Sequence, residues 1–213
     1  MKINLLAFTK YSYEGPSSRY RYYNYVGCFD KQNIKLTISP LFKRGYFTSV
    51  GKLPKLLQVL RAYYSRLLLL FKLLFGLKKY DLIIIEYELF PFFPAFFEQL
   101  LTFKGVRYIV DYDDAIFHKY DAHANPLLRK LLGGKIGQVM KMAGTVIVCN
   151  GYLEKYARRY SSEIVRLPTV VLLDRYIDAA KKHKRRHDDE TFTIGWIGSK
   201  STSVYLLDIL PAI

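Results

Sequence analysis

The fold of this chain is decided by residues 107–117, RYIVDYDDAIF, where a short apolar run ends in acidic residues. Residues 108–110 are aromatic or β-branched without polar alternation, which is typical of a buried strand. Asp111, Asp113 and Asp114 follow directly. Open α/β sheets hold their ligands at the carboxyl ends of their strands. This stretch therefore predicts an acidic ligand site at the edge of a parallel sheet.

Apolar runs on both sides of this stretch predict the other strands. They cover residues 2–8, 34–39, 81–86, 145–149 and 164–167. Helical patterns separate the runs, and strands that alternate with helices are typical of a doubly wound, mostly parallel sheet. The predicted fold is therefore α/β and Rossmann-like. Its ligand edge would be formed by residues 9–21, 86–94, 111–118 and Asn150.

The loop after the first strand has the composition of an anion site. Small residues, from Gly15 to Ser18, lead into a helix that is expected from Arg19 to about residue 29. Free N–H groups at a helix start bind anions, and Arg21 adds a second positive charge. In a regular helix Arg19 and Arg21 would point about 200° apart, so both can contact one ligand only from an extended segment. A plain capped helix with surface arginines is the alternative interpretation.

Positive charge is concentrated in one part of the chain. The formal net charge is +15, and residues 31–79 contain 11 Lys or Arg and no Asp or Glu. This imbalance suggests an anionic partner (membrane phosphates, a nucleotide or nucleic acid), and a solvated basic surface is the alternative.

A long helix, expected over residues 52–77, carries much of this charge. Its polar arc, which includes Arg61, Arg66 and Lys72, is purely basic, and its apolar arc is broad. The helix could lie on an anionic membrane surface, or it could be a packed core helix with a basic outer face.

Several classes of protein are disfavoured. Cys28 and Cys149 lie far apart without zinc-ligand spacing, so neither a zinc site nor a disulfide framework is indicated, and a reducing, cytoplasmic setting is expected. The longest apolar stretch, residues 67–77, is interrupted by Lys72 and is shorter than the roughly 20 residues of a membrane span. No secretory signal is expected either.

Composition divides the chain into three parts. Residues 1–173 would form the first domain, and residues 174–190, which include KKHKRRHDDE, would form a charged interdomain linker. Residues 191–213 would begin a second Rossmann-like domain, with a strand over residues 191–196 and a strand-to-helix turn that contains Gly198, Ser199 and Lys200.

Five segments in this order resemble bacterial glycosyltransferases of the GT-B architecture, of the group 1 or family 4 type that builds surface polysaccharides. The segments are GPSSRYRYYNY, IVDYDDAIF, TVIVCNGYLEKYARRY, LPTVV with DRY, and TIGWIGSKST. Such enzymes have two Rossmann-like domains, of which the first binds mainly the acceptor and the second mainly the nucleotide sugar.

The resemblance also implies which residues form the site. Asp113, Asp114 and Glu86 would hold acceptor hydroxyls and carry the catalysis. The residues that would approach the reacting sugar and the donor phosphates are Gly15, Pro16, Ser17 and Arg19, with Arg21 as a further candidate. Gly198, Ser199 and Lys200 would begin the donor phosphate site in the second domain.

The sequence departs from the family pattern in two places. Leu172 and Leu173 stand where the family usually has an acidic or small polar residue soon after PTVV. The E-x7-E region that grips the donor in relatives is absent from these residues. The chain alone is therefore expected to be inactive, because its donor domain would be incomplete.

The reaction implied is hexosyl transfer, with retention of anomeric configuration, from a UDP- or GDP-sugar co-substrate and without a tightly bound cofactor. The acceptor would be a glycan or a polyprenyl-linked sugar, and the protein would be peripheral on the inner face of the membrane, bound through residues 52–77.

The pattern Asp111-Tyr112-Asp113 is similar to the D-x-D metal site of the other transferase architecture, but the segment order favours the metal-independent type and no metal is expected. His118 is either a catalytic base or a hydrogen-bonded surface residue.

Two other functions stay open from the residues. A non-catalytic module could present the basic face to lipid or to a partner enzyme. A nucleic-acid-binding domain is favoured by the charge but opposed by the carboxylates at the ligand edge, so no nucleic acid is expected as a partner.

Overall fold

The apolar runs of the first 171 residues form one six-stranded sheet in the computed structural model, which describes residues 2–46, 54–77, 79–182, 194–198 and 202–212. The strands are Ile3–Tyr11 (β1), Ile34–Phe42 (β2), Leu82–Glu86 (β3), Tyr108–Tyr112 (β4), Thr145–Val148 (β5) and Ile164–Arg166 (β6). Their order is β2-β1-β3-β4-β5-β6, and every neighbouring pair is parallel. The prediction of a parallel α/β sheet is confirmed.

Helices connect the strands. In the first unit they are Pro16–Arg21 (α1), Val26–Lys31 (α2), Lys55–Leu74 (α3), Phe96–Phe103 (α4), His118–Asp121 (α5), Pro126–Leu132 (α6), Lys135–Met142 (α7) and Gly151–Ala157 (α8). A 3-10 turn, Tyr23–Tyr25, separates α1 from α2.

The two faces of the sheet are covered differently. Phe8, Ile85 and Val110 belong to the main core, together with buried residues of α3, α4, α7 and α8. On the opposite face the ring of Tyr22, which follows α1, is buried and its hydroxyl reaches Asp111 of β4 at 2.8 Å. The sheet is therefore wound on both sides, and its second face is covered from the α1–α2 region.

The strand order creates a crevice at one edge. From β1 the chain goes to β2 on one side, and α3 then carries it back to β3 on the other side of β1. The loops after β1 and β3 leave in opposite directions at such a switch point, and open α/β sheets bind their ligands there. Glu86 of β3 and Asp111 of β4 are register partners at this edge.

Three predicted boundaries are corrected. Strand β2 continues past Pro40 to Phe42, which is tolerated because β2 is an edge strand and a proline there need not donate to a neighbour. The pattern of residues 125–143, before the fifth apolar run, predicts one helix, but the structure divides this segment at Gly133 and Gly134 into α6 and α7. The first helix begins at Pro16, a favoured first helical residue, rather than at Arg19.

The long helix α3 buries a basic side chain together with apolar ones. Arg66 is 3% exposed, and Leu70 and Leu73 are buried beside it. The Arg66 guanidinium donates to the carbonyl oxygens of Thr9 and Ser39, at 2.6 and 2.7 Å. The interpretation of α3 as a packed core helix with a basic outer face is therefore correct only in part. Leu70 and Leu73 pack in the core and Arg61 and Lys72 are exposed, but Arg66 faces the sheet and many apolar side chains face outward.

Residues Leu172–Ile213 form a separate unit. Helix α9, Leu173–Lys182, covers the first half of the predicted linker. Residues 194–198 are not in a strand, and residues 191–193, which complete the expected opening strand of a second domain, lie outside the described residues. The unit ends with a short helix, Leu206–Ile209 (α10), between two 3-10 turns, Ser203–Tyr205 and Leu210–Ala212.

The part of the chain that the structure describes has no helix that is both long and apolar enough to cross a membrane.

Candidate functional site

Glu86, the last residue of β3, lies deepest in the switch-point crevice. One carboxylate oxygen accepts the Lys10 backbone N–H and the Ser18 hydroxyl, both at 2.7 Å. The other oxygen, Oε1, is buried without a hydrogen-bond partner among the described residues. The pKa of Glu86 is raised to about 7, because burial and, to a smaller extent, the nearby Asp113 and Asp111 outweigh the two hydrogen bonds that lower it. A carboxyl group that titrates near neutrality is suited to accepting a proton.

Asp113 lies at the mouth of the same crevice. Its Oδ1 accepts a short hydrogen bond from the Tyr87 hydroxyl, and its carboxylate also hydrogen-bonds with Ser17. Burial raises the pKa of Asp113 although these two hydrogen bonds lower it. The structure thus brings together Glu86, Asp113 and Ser17, three of the residues predicted from the sequence.

Tyr87 is a site residue that sequence reasoning missed. Its backbone φ is 66°, a conformation that a bulky residue adopts only when its surroundings enforce it. Here the Tyr87 N–H donates to the Asp111 carbonyl at 3.0 Å, and the Tyr87 carbonyl accepts the Tyr112 hydroxyl at 2.9 Å. These bonds hold the Tyr87 ring next to Asp113. A strained residue directly after a strand carries no signal in a single sequence.

Asp114 stands apart from the pair formed by Glu86 and Asp113. It is exposed, and its Oδ1 accepts the N–H of the next residue, Ala115, at 2.8 Å. The carboxylate therefore shapes the local turn at the rim of the crevice.

Helix α1 begins in contact with the crevice. The Gly15 N–H donates to the Ser12 carbonyl at 2.9 Å, and a Cβ at Gly15 would lie 2.4 Å from the Cβ of Tyr11, so only glycine fits. Pro16 follows as the first helical residue. Because the segment is helical, Arg19 and Arg21 diverge as the spacing predicts, and the guanidinium of Arg19 lies 5.5 Å from the ring centroid of Tyr13.

Arg21 is committed to a buried ion pair. Its guanidinium binds both oxygens of Asp111, and the two side chains are 5% and 6% exposed. Burial lowers the pKa of Arg21, but the hydrogen bond and charge of Asp111 outweigh it and the pKa is raised. Arg21 also donates to the Leu167 carbonyl at 2.8 Å, so it joins α1 to β4 and to the segment after β6.

The two aspartates of the Asp111-Tyr112-Asp113 pattern consequently have different partners, Arg21 and Tyr87 respectively. In the described ranges no group of three or more His, Cys, Asp or Glu side chains is placed to hold a metal ion.

Two lysines that the sequence analysis did not single out add positive charge near the crevice. The Nζ of Lys10 lies 5.6 Å from the ring centroid of Tyr87, and that of Lys119 lies 4.0 Å from the ring centroid of Phe92. Burial lowers the pKa of Lys119, and the charge of Lys10 lowers it further. Lys10 could have been found from its place near the carboxyl end of the first strand, within the predicted ligand edge of residues 9–21.

His118 belongs to an exposed network. Its Nδ1 lies 3.0 Å from Asp121 Oδ1, and its Nε2 lies 2.6 Å from the Tyr152 hydroxyl. The His118 side chain is 51% exposed. This is the hydrogen-bonded surface arrangement, one of the two alternatives that the sequence left open.

The predicted donor residues lie in the second unit. Gly198 is exposed, and a Cβ there would lie 2.2 Å from the ring of Trp196. Ser199 and Lys200 fall outside the described residues, as does Lys52 of the expected basic helix.

A cavity of about 440 Å³ lies on the face of the sheet that α1 and α2 cover. Its walls are mainly apolar, and the Arg21–Asp111 pair contributes the charged part. Other lining residues are Tyr20, Phe29, Ile84 and Ile147. They come from two helical segments and two strands, so no local sequence pattern predicts the cavity.

Two solved structures are similar to this chain. One is Glycyrrhiza uralensis UGT73P12 complexed with glycyrrhetinic acid 3-O-monoglucuronide, with a TM-score of 0.44, 10% identity, and coverage of 78% of this chain and 48% of that chain. The other is Arabidopsis thaliana UGT89C1 complexed with UDP-L-rhamnose, with a TM-score of 0.43, 10% identity, and coverage of 81% of this chain and 53% of that chain. The chain spans about half the length of these two proteins. No protein-family model and no curated protein matches the sequence.

Proposed function

We propose that this chain carries the acceptor-binding domain of a glycosyltransferase that uses a nucleotide-sugar donor. The observation that carries the proposal is the pair of carboxyl groups at the β1/β3 switch point, Glu86 and Asp113, both with raised pKa values. The five sequence segments that resemble GT-B transferases support it, because two of them supply Asp113 and Ser17.

Sugar transfer requires both negative and positive side chains, and both are present at the crevice. The reacting sugar becomes cationic while a nucleoside diphosphate leaves with negative charge. In the proposal, Asp113 accepts a hydrogen bond from the incoming acceptor hydroxyl, and the unpaired Oε1 of Glu86 is the second acceptor behind it. Lys10 and Lys119 supply positive charge toward the leaving phosphates. Arg21, in contrast, would act by holding Asp111 and α1 in place.

The finer features of the proposal rest on the sequence resemblance and on charge. We propose a glycan or polyprenyl-linked acceptor in surface polysaccharide synthesis, a UDP- or GDP-sugar donor, hexosyl transfer with retention, and a location on the cytoplasmic face of the membrane. The net charge of +15 suits both a phosphate-bearing donor and an anionic lipid surface.

The alternative function is a non-catalytic module that binds a membrane or a partner enzyme. The outward apolar face of α3 favours it, because such a face has a binding role whether or not chemistry takes place nearby.

The matched variants Asp113→Asn and Asp114→Asn test the proposed function. A panel of glycans and short polyprenyl-phosphate sugars is titrated onto the protein by calorimetry or ligand-observed NMR. We expect Asp113→Asn to weaken acceptor binding by about tenfold or more, since a charge-assisted hydrogen bond is lost. Asp114→Asn should bind within about twofold of the parent, because Asp114 shapes only the rim.

Equal losses in the two variants would contradict the role of Asp113. Binding to vesicles without binding to any sugar would favour the non-catalytic module. Steeply salt-dependent binding to generic DNA or RNA would instead favour a nucleic-acid partner.

A further inference from the structure

The outward side of α3 is a row of large apolar side chains. Its members, which we call the α3 row, are 39% to 64% exposed: Leu57, Leu60, Tyr64, Leu67, Leu68, Phe71 and Phe75. A soluble helix normally turns such residues toward the core. Here Arg66 and Leu70 occupy the inward side, so the row is left outside.

The α3 row continues onto a second apolar element. Phe92 and Phe93 are exposed in the turn after β3, and Phe96 is exposed at the start of α4; we call these three residues the phenylalanine turn. Helix α3 is attached to this turn, because the Tyr63 hydroxyl donates to the Pro91 carbonyl at 2.5 Å and the Tyr63 ring lies 5.1 Å from that of Phe90. The two elements therefore lie side by side on the molecule.

The edges of this surface are basic. Arg61 and Lys72 are exposed on α3 itself, and the Lys119 ammonium lies 4.0 Å from the Phe92 ring centroid. Helix α3 contains no acidic residue. Apolar side chains bordered by Lys and Arg, without carboxylates, match the acyl boundary and the phosphates of an anionic bilayer.

We infer that the α3 row and the phenylalanine turn form one docking surface for a membrane that contains anionic phospholipid. The helix lies in the plane of the interface, and the phenylalanine turn inserts beside it. A second copy of this chain fits poorly, because it would bring an equally basic border against this one.

The inference deepens the proposed function by naming the surface from which the acceptor is reached. The segment after β3 carries both Tyr87 of the site and the phenylalanine turn. Docking through the turn therefore holds the crevice next to the lipid phosphates, where a lipid-linked sugar would be presented.

Vesicle flotation tests the surface directly. The parent protein is mixed with vesicles of phosphatidylcholine alone, or with about 30% phosphatidylglycerol, at low and high salt. We expect binding to the anionic vesicles that weakens with salt. Leu60→Gln with Phe71→Gln should weaken it by about tenfold, because two inserted side chains are lost while helix propensity is kept. Phe93→Gln with Phe96→Gln tests the phenylalanine turn in the same way.

Two controls separate the surface from general effects. Val165→Gln removes an exposed apolar side chain from β6, at the far edge of the sheet, and should leave binding unchanged. Arg61→Glu with Lys72→Glu should abolish the preference for anionic vesicles. Lys141→Glu with Lys155→Glu makes the same change in net charge elsewhere and should retain most of the binding.

The inference is overturned if the parent protein does not bind anionic vesicles, or if the control variants lose as much vesicle binding as the surface variants. It is also overturned if sedimentation shows a stable dimer that Leu60→Gln with Phe71→Gln dissociates, since a second copy would then cover the row. Acceptor binding by the Asp113→Asn protein is measured separately. Vesicle binding can therefore fail while the proposed function stands, and acceptor binding can fail while the docking surface stands.

Discussion

At the scale of single residues, the buried carboxyl of Glu86 makes folding depend on pH. Its pKa is about 7 in the folded protein against an ordinary value of 4.5. The folded state therefore binds this proton more tightly, and the resulting stabilisation is complete below the ordinary pKa and is lost as the pH rises through about 7. The difference corresponds to about 3 kcal/mol.

Glu86→Gln should remove this loss. The amide keeps an oxygen that can accept from the Lys10 N–H and the Ser18 hydroxyl, but it carries no charge. We expect the variant to be more stable than the parent at about pH 8 by about 2 to 3 kcal/mol, with little difference at about pH 5. Urea unfolding at the two pH values measures this, and Asp114→Asn serves as the exposed control. A variant that is less stable at the higher pH would show that the charged form of Glu86 is favoured in the fold.

At the scale of elements, a buried guanidinium connects α3 to the sheet, in addition to the apolar contacts of Leu70 and Leu73. Arg66 donates to the carbonyl oxygens of Thr9, Ser39 and Leu89, at 2.6, 2.7 and 3.1 Å. Burial lowers its pKa to about 9, against the attraction of Glu86 and Glu98. These three carbonyls lie at the ends of β1, β2 and the loop after β3, so Arg66 connects the elements that surround the crevice.

Arg66→Met should therefore destabilise the fold. Methionine fills a similar volume but leaves three carbonyl oxygens without this donor, and the expected loss in the free energy of unfolding is about 3 kcal/mol. Arg61→Met, one and a half turns earlier on the outward side, should change stability by less than about 0.5 kcal/mol. Comparable losses in the two variants, measured by urea unfolding, would contradict the inward role of Arg66.

The same helix shows what periodicity can and cannot predict. The pattern predicts a helix and its two arcs, because both depend only on spacing along one segment. It does not say which arc faces the sheet, since that choice depends on backbone carbonyls contributed by β1, β2 and the loop after β3. A basic residue such as Arg66 is normally assigned to the solvent, and here the buried carbonyls reverse that assignment.

At the scale of the whole molecule, every described contact of the crevice lies within Met1–Val171. A chain that ends at Val171 should therefore unfold cooperatively and keep its Asp113-dependent acceptor binding. A chain that ends at Arg166 should be less stable, because it lacks the Leu167 carbonyl that Arg21 uses and the Val170 carbonyl that accepts the Tyr25 hydroxyl at 3.1 Å. Urea unfolding of the two truncated proteins measures the difference, and equal stability would show that the segment after β6 adds nothing.

Much of the architecture could be predicted because strands of a parallel sheet are nearly continuous apolar runs. The position of Glu86 and Asp113 at one edge follows from the same rule, since acids after parallel strands meet there. The pairing of Arg21 with Asp111 could not be predicted, because the two residues are 90 positions apart and many other partners were available to each. Tyr87 was missed because its role depends on a backbone conformation that neighbouring loops enforce.

The α3 row also determines how the molecule behaves in plain buffer. A formal charge of +15 keeps separate molecules apart at low ionic strength, when their mutual repulsion extends over long distances. Added salt shortens that repulsion while leaving the attraction between exposed leucine and phenylalanine side chains intact. Added salt, which keeps many basic proteins in solution, is therefore expected to promote self-association of this one. Its solubility depends on the positive charge that borders the α3 row.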